Sequence, residues 1–188
     1  MSSVGKTTFL KDYSAPDFSI LSTDLTFDLQ EGFTEVTARL HMQRSNSLGV
    51  PLRLHGQQLQ LMSLALDDVV LNPSQYSQDD EGLTILQVPA QFVLTSRVRI
   101  EPHNNTALEG LYRSRSMYCT QCEAEGFRKI TFYLDRPDAM SSFTTRIEAD
   151  KSQFPVLLSN GNLMAQGDLP ANRHFAIWQD PFKKPAYL

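Results

Sequence analysis

The feature that most constrains this chain is an apolar alternation of period two that is nowhere replaced by a helical period. Leu25, Phe27 and Leu29 alternate with Thr26 and Asp28, the pattern of a half-buried strand. Gln30-Glu31-Gly32 supplies a turn. Thr34, Val36, Ala38, Leu40 and Met42 then alternate with Glu35, Thr37, Arg39 and His41, which predicts a hairpin. Further strands are predicted at 51–55, 59–71, 83–88 and 92–100, punctuated by Asn72-Pro73-Ser74 and by Asp79-Asp80-Glu81-Gly82. Later runs at 129–134, 143–149, 155–159 and 173–179 read the same way. Many short strands without a helical face argue an all-β fold, a β-sandwich or large curved sheet with one or two short helical turns.

At 188 residues the chain is long enough to bury a core without metals or disulfides. We read residues 1–11 as a polar lead-in and 12–188 as one domain. A net charge of −4 leaves no footprint for a phosphate backbone, so nucleic acid is not an expected partner. The amino terminus lacks an apolar leader and no transmembrane segment is predicted, so the expected setting is cytoplasmic, with both cysteines as free thiols. Gly5-Lys6-Thr7 resembles the tail of a phosphate-binding loop but lacks the loop's first glycine and a preceding strand, and is rejected. Residues 179–188 read as a proline-rich connector running into a further strand that is cut short.

Polar and ionisable residues crowd into residues 102–138. Cys119-Thr-Gln-Cys122 has the spacing of a redox dithiol or half a zinc site. The four histidines are scattered, however, and structural cysteines flanking a bend fit better. Glu123 and Glu125 lie two apart on a short segment and diverge, which argues against a shared substrate atom. Thr120-Gln-Cys-Glu123 matches a capping box, and spacing alone favours that structural role for Glu123. Asp135-Arg136-Pro137-Asp138 reads as a helix entry. The local surplus of Arg113, Arg115, Arg128, Lys129 and Arg136 reads as a solvated face.

Asn105-Thr-Ala-Leu-Glu-Gly-Leu-Tyr, Cys119-Thr-Gln-Cys-Glu-Ala-Glu-Gly-Phe-Arg and Tyr133-Leu-Asp-Arg-Pro-Asp together resemble the amino-terminal domain of the bacterial aminopeptidase N family, zinc metallopeptidases of the gluzincin class. Asp24-Leu-Thr-Phe-Asp-Leu, Leu158-Ser-Asn-Gly-Asn and Trp178-Gln-Asp-Pro-Phe extend the likeness in the expected order. The resemblance implies a saddle-shaped β domain packed beside a catalytic domain of the same polypeptide. It also implies that a Gln-x-Glu element, here Gln121 and Glu123, binds the free α-ammonium of a peptide substrate. The Gly-x-Met-Glu-Asn element and the His-Glu-x-x-His zinc helix are missing from these 188 residues. Zinc is therefore expected in a longer enzyme, on residues outside this chain, and no catalytic residue is assigned here. The competing readings are a stand-alone β-sandwich interaction module and a small thiol oxidoreductase using Cys119 and Cys122.

Overall fold

The computed structural model describes residues 9–45 and 49–188. In it the predicted hairpin is β1 (Phe18–Leu29) paired antiparallel with β2 (Thr34–Arg44), with Leu25 opposite Ala38 and Phe27 opposite Val36. The turn is closed by the Gln30 amide donating to the Phe33 carbonyl at 3.0 Å, and Gly32 takes the positive φ, 83°, that the bend requires. An irregularity after Ile20 shifts the register, so Leu21 turns outward and Thr23 inward. The buried Thr23 hydroxyl then lies 3.2 Å from the Tyr133 hydroxyl and 2.9 Å from that of Ser141, which satisfies it.

The remaining strands are β3 (Leu52–His55), β4 (Gln60–Leu66), β5 (Val69–Val70), β6 (Tyr76–Asp79), β7 (Gly82–Ile85) and β8 (Gln91–Ile100). After them come β9 (Gly110–Ser114), β10 (Met117–Gln121), β11 (Met140–Asp150), β12 (Asn162–Leu169) and β13 (Arg173–Pro185). Eight form one curved sheet in the order β12-β13-β11-β1-β2-β8-β4-β5, in which only β1 and β11 run parallel. A three-stranded sheet (β3-β7-β6) and the β9–β10 hairpin complete the fold. One contiguous core joins inward residues of the large sheet, such as Val36, Leu40, Leu94 and Val98, to Leu52, Leu54, Leu83 and Ile85 of the small one. Phe127, Ile130, Phe132 and Tyr133 fill the space between. The all-β expectation with short helical turns is met: the described helical pieces are three-residue 3₁₀ turns, as at Leu10–Asp12 and Phe127–Lys129. None of the described helices is long and apolar enough to cross a membrane.

Several local expectations are overturned. Residues 129–134 are fully apolar in their second half because they are buried, yet among the described residues their ladder contact is a single bridge between Tyr133 and His55, not a strand. Residues 155–159 form an open loop, with Val156 and Leu158 68% and 70% exposed. The alternation predicts neither the edge strand β12 nor the β9–β10 hairpin. Residues 179–185 are no connector; they are the last stretch of β13, opposite Met140 and Ser141. The helix entry at Asp135 is a turn, in which the Ala139 amide donates to the Arg136 carbonyl at 3.1 Å and Pro137 takes the second position. Gly5-Lys6-Thr7 lies outside the described residues.

Candidate functional site

The β9–β10 hairpin reverses at Arg115, which adopts a left-handed φ of 56°, and sets Cys119 opposite Tyr112, Thr120 opposite Leu111 and Gln121 opposite Gly110. This pairing removes the capping box. Thr120 is committed to a strand, the helical turn starts only at Phe127, and its cap position, Gly126, has no side-chain bond. Beyond Gln121 the chain makes a tight bend closed by the Gly126 amide donating to the Cys122 carbonyl at 2.9 Å. Glu123, Ala124 and Glu125 protrude from it, all exposed, and the Glu123–Ala124 peptide is cis.

Two glycines allow the bend to sit on its support. A Cβ on Gly126 would stand 2.6 Å from the Gln121 carbonyl oxygen. One on Gly110, whose φ is 75°, would stand 2.8 Å from the Cβ of Lys129. Phe127 then drops into the core, edge-on to Tyr133 at 4.8 Å and to Phe143 of β11 at 6.3 Å. The Gln121 side-chain amide donates to the Glu123 carbonyl at 3.4 Å. Among the described residues no hydrogen bond or ion pair reaches the Glu123 carboxylate, so its oxygens are available to a ligand. Gln121 and Cys122 also line a groove of about 760 Å³ floored by Phe27 and Phe143, and residues 185–188 line the same groove.

Beneath the bend lies a polar cluster that the sequence had placed on a solvated face. Arg128 is 10% exposed and Asp135 only 3%. Arg128 Nε donates to Asp135 Oδ2 at 2.9 Å, the Arg128 amide donates to the same oxygen at 3.1 Å, and Nη2 donates to the Asp135 carbonyl at 3.1 Å. Arg128 Nη2 also lies 3.3 Å from Glu125 Oε1. The Asp135 amide in turn donates to His55 Nδ1 at 3.2 Å. That bond needs an unprotonated Nδ1, and burial, helped by the positive charge of Arg128, pushes the His55 imidazole below its ordinary pKa. Sequence reasoning missed Arg128, Asp135, His55 and Gly126. The available signal was an acid, Asp135, placed directly after the apolar run Phe132-Tyr133-Leu134.

The cysteines are free thiols, and their surroundings do not suit a dithiol redox centre. Burial, followed by the negative charge of Asp135, pushes the Cys122 thiol up to about 12, so almost no thiolate forms. The chain between them is extended through Gln121, which separates the two Cα atoms by on the order of 10 Å, beyond the roughly 7 Å that a disulfide spans. The described residues contain no group of three or more His, Cys, Asp and Glu side chains arranged to hold a metal. Among the described residues no donor set fits a zinc site.

The Peptidase M1 N-terminal domain family matches residues 19–188. The chain is 51% identical to aminopeptidase N of Caulobacter vibrioides over 95% of its length, and 52% identical to aminopeptidase N of Escherichia coli over 94%. It spans only 21% and 20% of those two proteins. Among solved structures, Legionella pneumophila aminopeptidase A in complex with aspartic acid superposes with a TM-score of 0.88 at 32% identity, covering 95% of this chain and 21% of that one. An M1 zinc metallopeptidase from Deinococcus radiodurans shares the fold alone, with a TM-score of 0.76 at 13% identity over 91% of this chain and 41% of its own. On the match over residues 19–188 and these identities, the chain belongs to the peptidase M1 N-terminal domain family.

Proposed function

We propose that this chain is the N-terminal domain of a zinc-dependent aminopeptidase that removes amino-terminal residues from peptides. In this reading it packs on a catalytic domain of the same polypeptide and supplies Glu123, with Gln121 beside it, to bind the substrate's α-ammonium. The observation that carries the reading is the Glu123 carboxylate itself: exposed, without a protein partner among the described residues, and held on a closed bend at the end of a strand. The domain's relatives bear the name aminopeptidase. A cytoplasmic setting goes with the proposal, and two free thiols suit it.

The physical logic concerns charge. An aminopeptidase must tell a terminal ammonium from an internal amide. A fixed carboxylate does so once a second surface excludes water from it. In the chain alone Glu123 is solvated and costs nothing to fold. Covering it with the rest of the enzyme would turn a hydrated charge into one that asks for a cation. Gln121, whose amide is directed to the Glu123 carbonyl, limits the freedom of that segment. Zinc, where bound, would supply the hydrolytic chemistry from residues outside this chain; this chain's part is to hold the ammonium and so fix how far the peptide enters.

The test is Glu123→Ala in the full-length enzyme. Loss of a buried charge partner is worth about 2–5 kcal/mol, which corresponds to a fall in kcat/KM of roughly 30- to several-thousand-fold for unblocked substrates. Kinetics within about twofold of the parent would remove the assigned role. The 188-residue chain by itself is expected not to hydrolyse such substrates.

A further inference from the structure

From the buried cluster under the bend we infer that Arg128 is a positioning residue for Glu123, acting through Glu125 and anchored by Asp135. This rests on the reading of Glu123 as the ammonium ligand and goes beyond it by saying what holds that ligand in place. Among the described residues the bend is held by the Gly126 amide on the Cys122 carbonyl, the Lys129 amide on the Gly126 carbonyl and the Gln121 amide on the Glu123 carbonyl. Arg128 adds a connection of a different kind. A single carboxylate oxygen of Asp135 accepts from both the backbone amide and Nε of Arg128, while Nη2 is shared between the Asp135 carbonyl and Glu125 Oε1 at 3.1 and 3.3 Å. The guanidinium fork is thus fixed at its base and touches the protruding bend at its tip. A lysine, with one compact charge centre, could satisfy the base or the tip but not both.

The anchor is itself tied to the body of the domain. The Arg128 carbonyl accepts from the Gln57 amide at 2.9 Å, the Asp135 amide donates to His55 Nδ1, and His55 and Tyr133 exchange backbone bonds of 2.8 and 3.0 Å. Displacing the tip therefore moves only the bend. A site displaced by about 1 Å loses much of its geometric advantage.

The experiment compares Arg128→Lys, Glu123→Gln and the double variant in the full-length enzyme, with melting curves to establish folding and steady-state kinetics on an unblocked aminoacyl anilide. Arg128→Lys is expected to raise KM about five- to twentyfold with kcat changed less than about threefold. In the Glu123→Gln background the same substitution should change KM by less than about twofold, because it acts only through Glu123. A second variant, Glu125→Ala, removes the exposed contact without touching the buried pair and is expected to raise KM about two- to fivefold. If Arg128→Lys does not fold, this second variant decides. Unchanged KM in the folded variants, or an Arg128→Lys effect that simply adds to that of Glu123→Gln, overturns the inference. Glu123→Gln with parental kinetics instead defeats the underlying reading, so the two failures are distinguishable.

Discussion

The β1–β2 hairpin and the segment from β9 to Asp135 are both built of short extended pieces, yet they are held by different forces. In the hairpin, Leu25, Phe27, Val36 and Ala38 are buried by an alternation that any strong β-former could continue. Its stability is spread over area, and apart from the buried Thr23 and Thr34 its polar residues alternate outward. In the later segment, three consecutive residues, Phe132, Tyr133 and Leu134, are buried without regular pairing, and the chain is fixed by one buried ion pair and two close-packed glycines. The first arrangement tolerates change and carries no site. The second is intolerant and carries the exposed Glu123 carboxylate, which has no partner among the described residues. Breaking a buried polar contact leaves its partner unsatisfied, and such contacts constrain geometry in a way that area does not.

The largest expected effect is in the second region. Asp135→Ala leaves the Arg128 guanidinium buried without its main partner and should destabilise the chain by about 3–5 kcal/mol in chemical denaturation. Replacing both members by apolar residues of similar size, Arg128→Met with Asp135→Leu, should recover most of that loss, while KM in the full-length enzyme stays raised. Recovery of stability and KM together would erase the distinction between the regions. In the hairpin, Ile20→Val removes one buried methyl group and should cost about 0.5–1.5 kcal/mol, with kinetics unchanged.

The smallest effect is a pH dependence. His55 has a folded pKa below its unfolded value, so the unfolded chain binds the proton first as pH falls. Its contribution is fully present above the unfolded pKa of about 6.5 and is lost as pH drops from there toward the folded value. Thermal melts between pH 8 and pH 5 should show this fall, as ordinary histidine titration predicts. His55→Asn, which offers a neutral acceptor near the Nδ1 position, should flatten it. An unchanged slope in the variant would detach His55 from the Asp135 anchor.

The same contrast explains what could be read in advance. The alternation at 25–29 and 34–42 fixed strands, turn and inward faces because burial on one side of a pleated sheet leaves a period-two record. Residues 129–134 carry the same apolar density without being a strand, since complete burial of an irregular segment erases periodicity. Edge strand β12, Asn-Leu-Met-Ala-Gln-Gly-Asp-Leu, is mostly exposed on both faces and so left no alternation to find. The roles proposed for Gln121 and Glu123 rest on family resemblance, while local spacing favours a cap for Glu123 that strand pairing of Thr120 forbids. The Arg128–Asp135 pair joins residues seven apart through a turn that no pattern of local sequence announces.

Whether the Glu123 carboxylate receives the substrate's ammonium is decided by a crystal structure of the full-length enzyme with a bound dipeptide or free amino acid. In that structure a Glu123 carboxylate oxygen is expected at about 2.7–3.2 Å from the ligand's α-nitrogen, with Arg128 still bridging Asp135 and Glu125. A ligand whose α-nitrogen is held by other groups, with Glu123 turned to solvent, would contradict it.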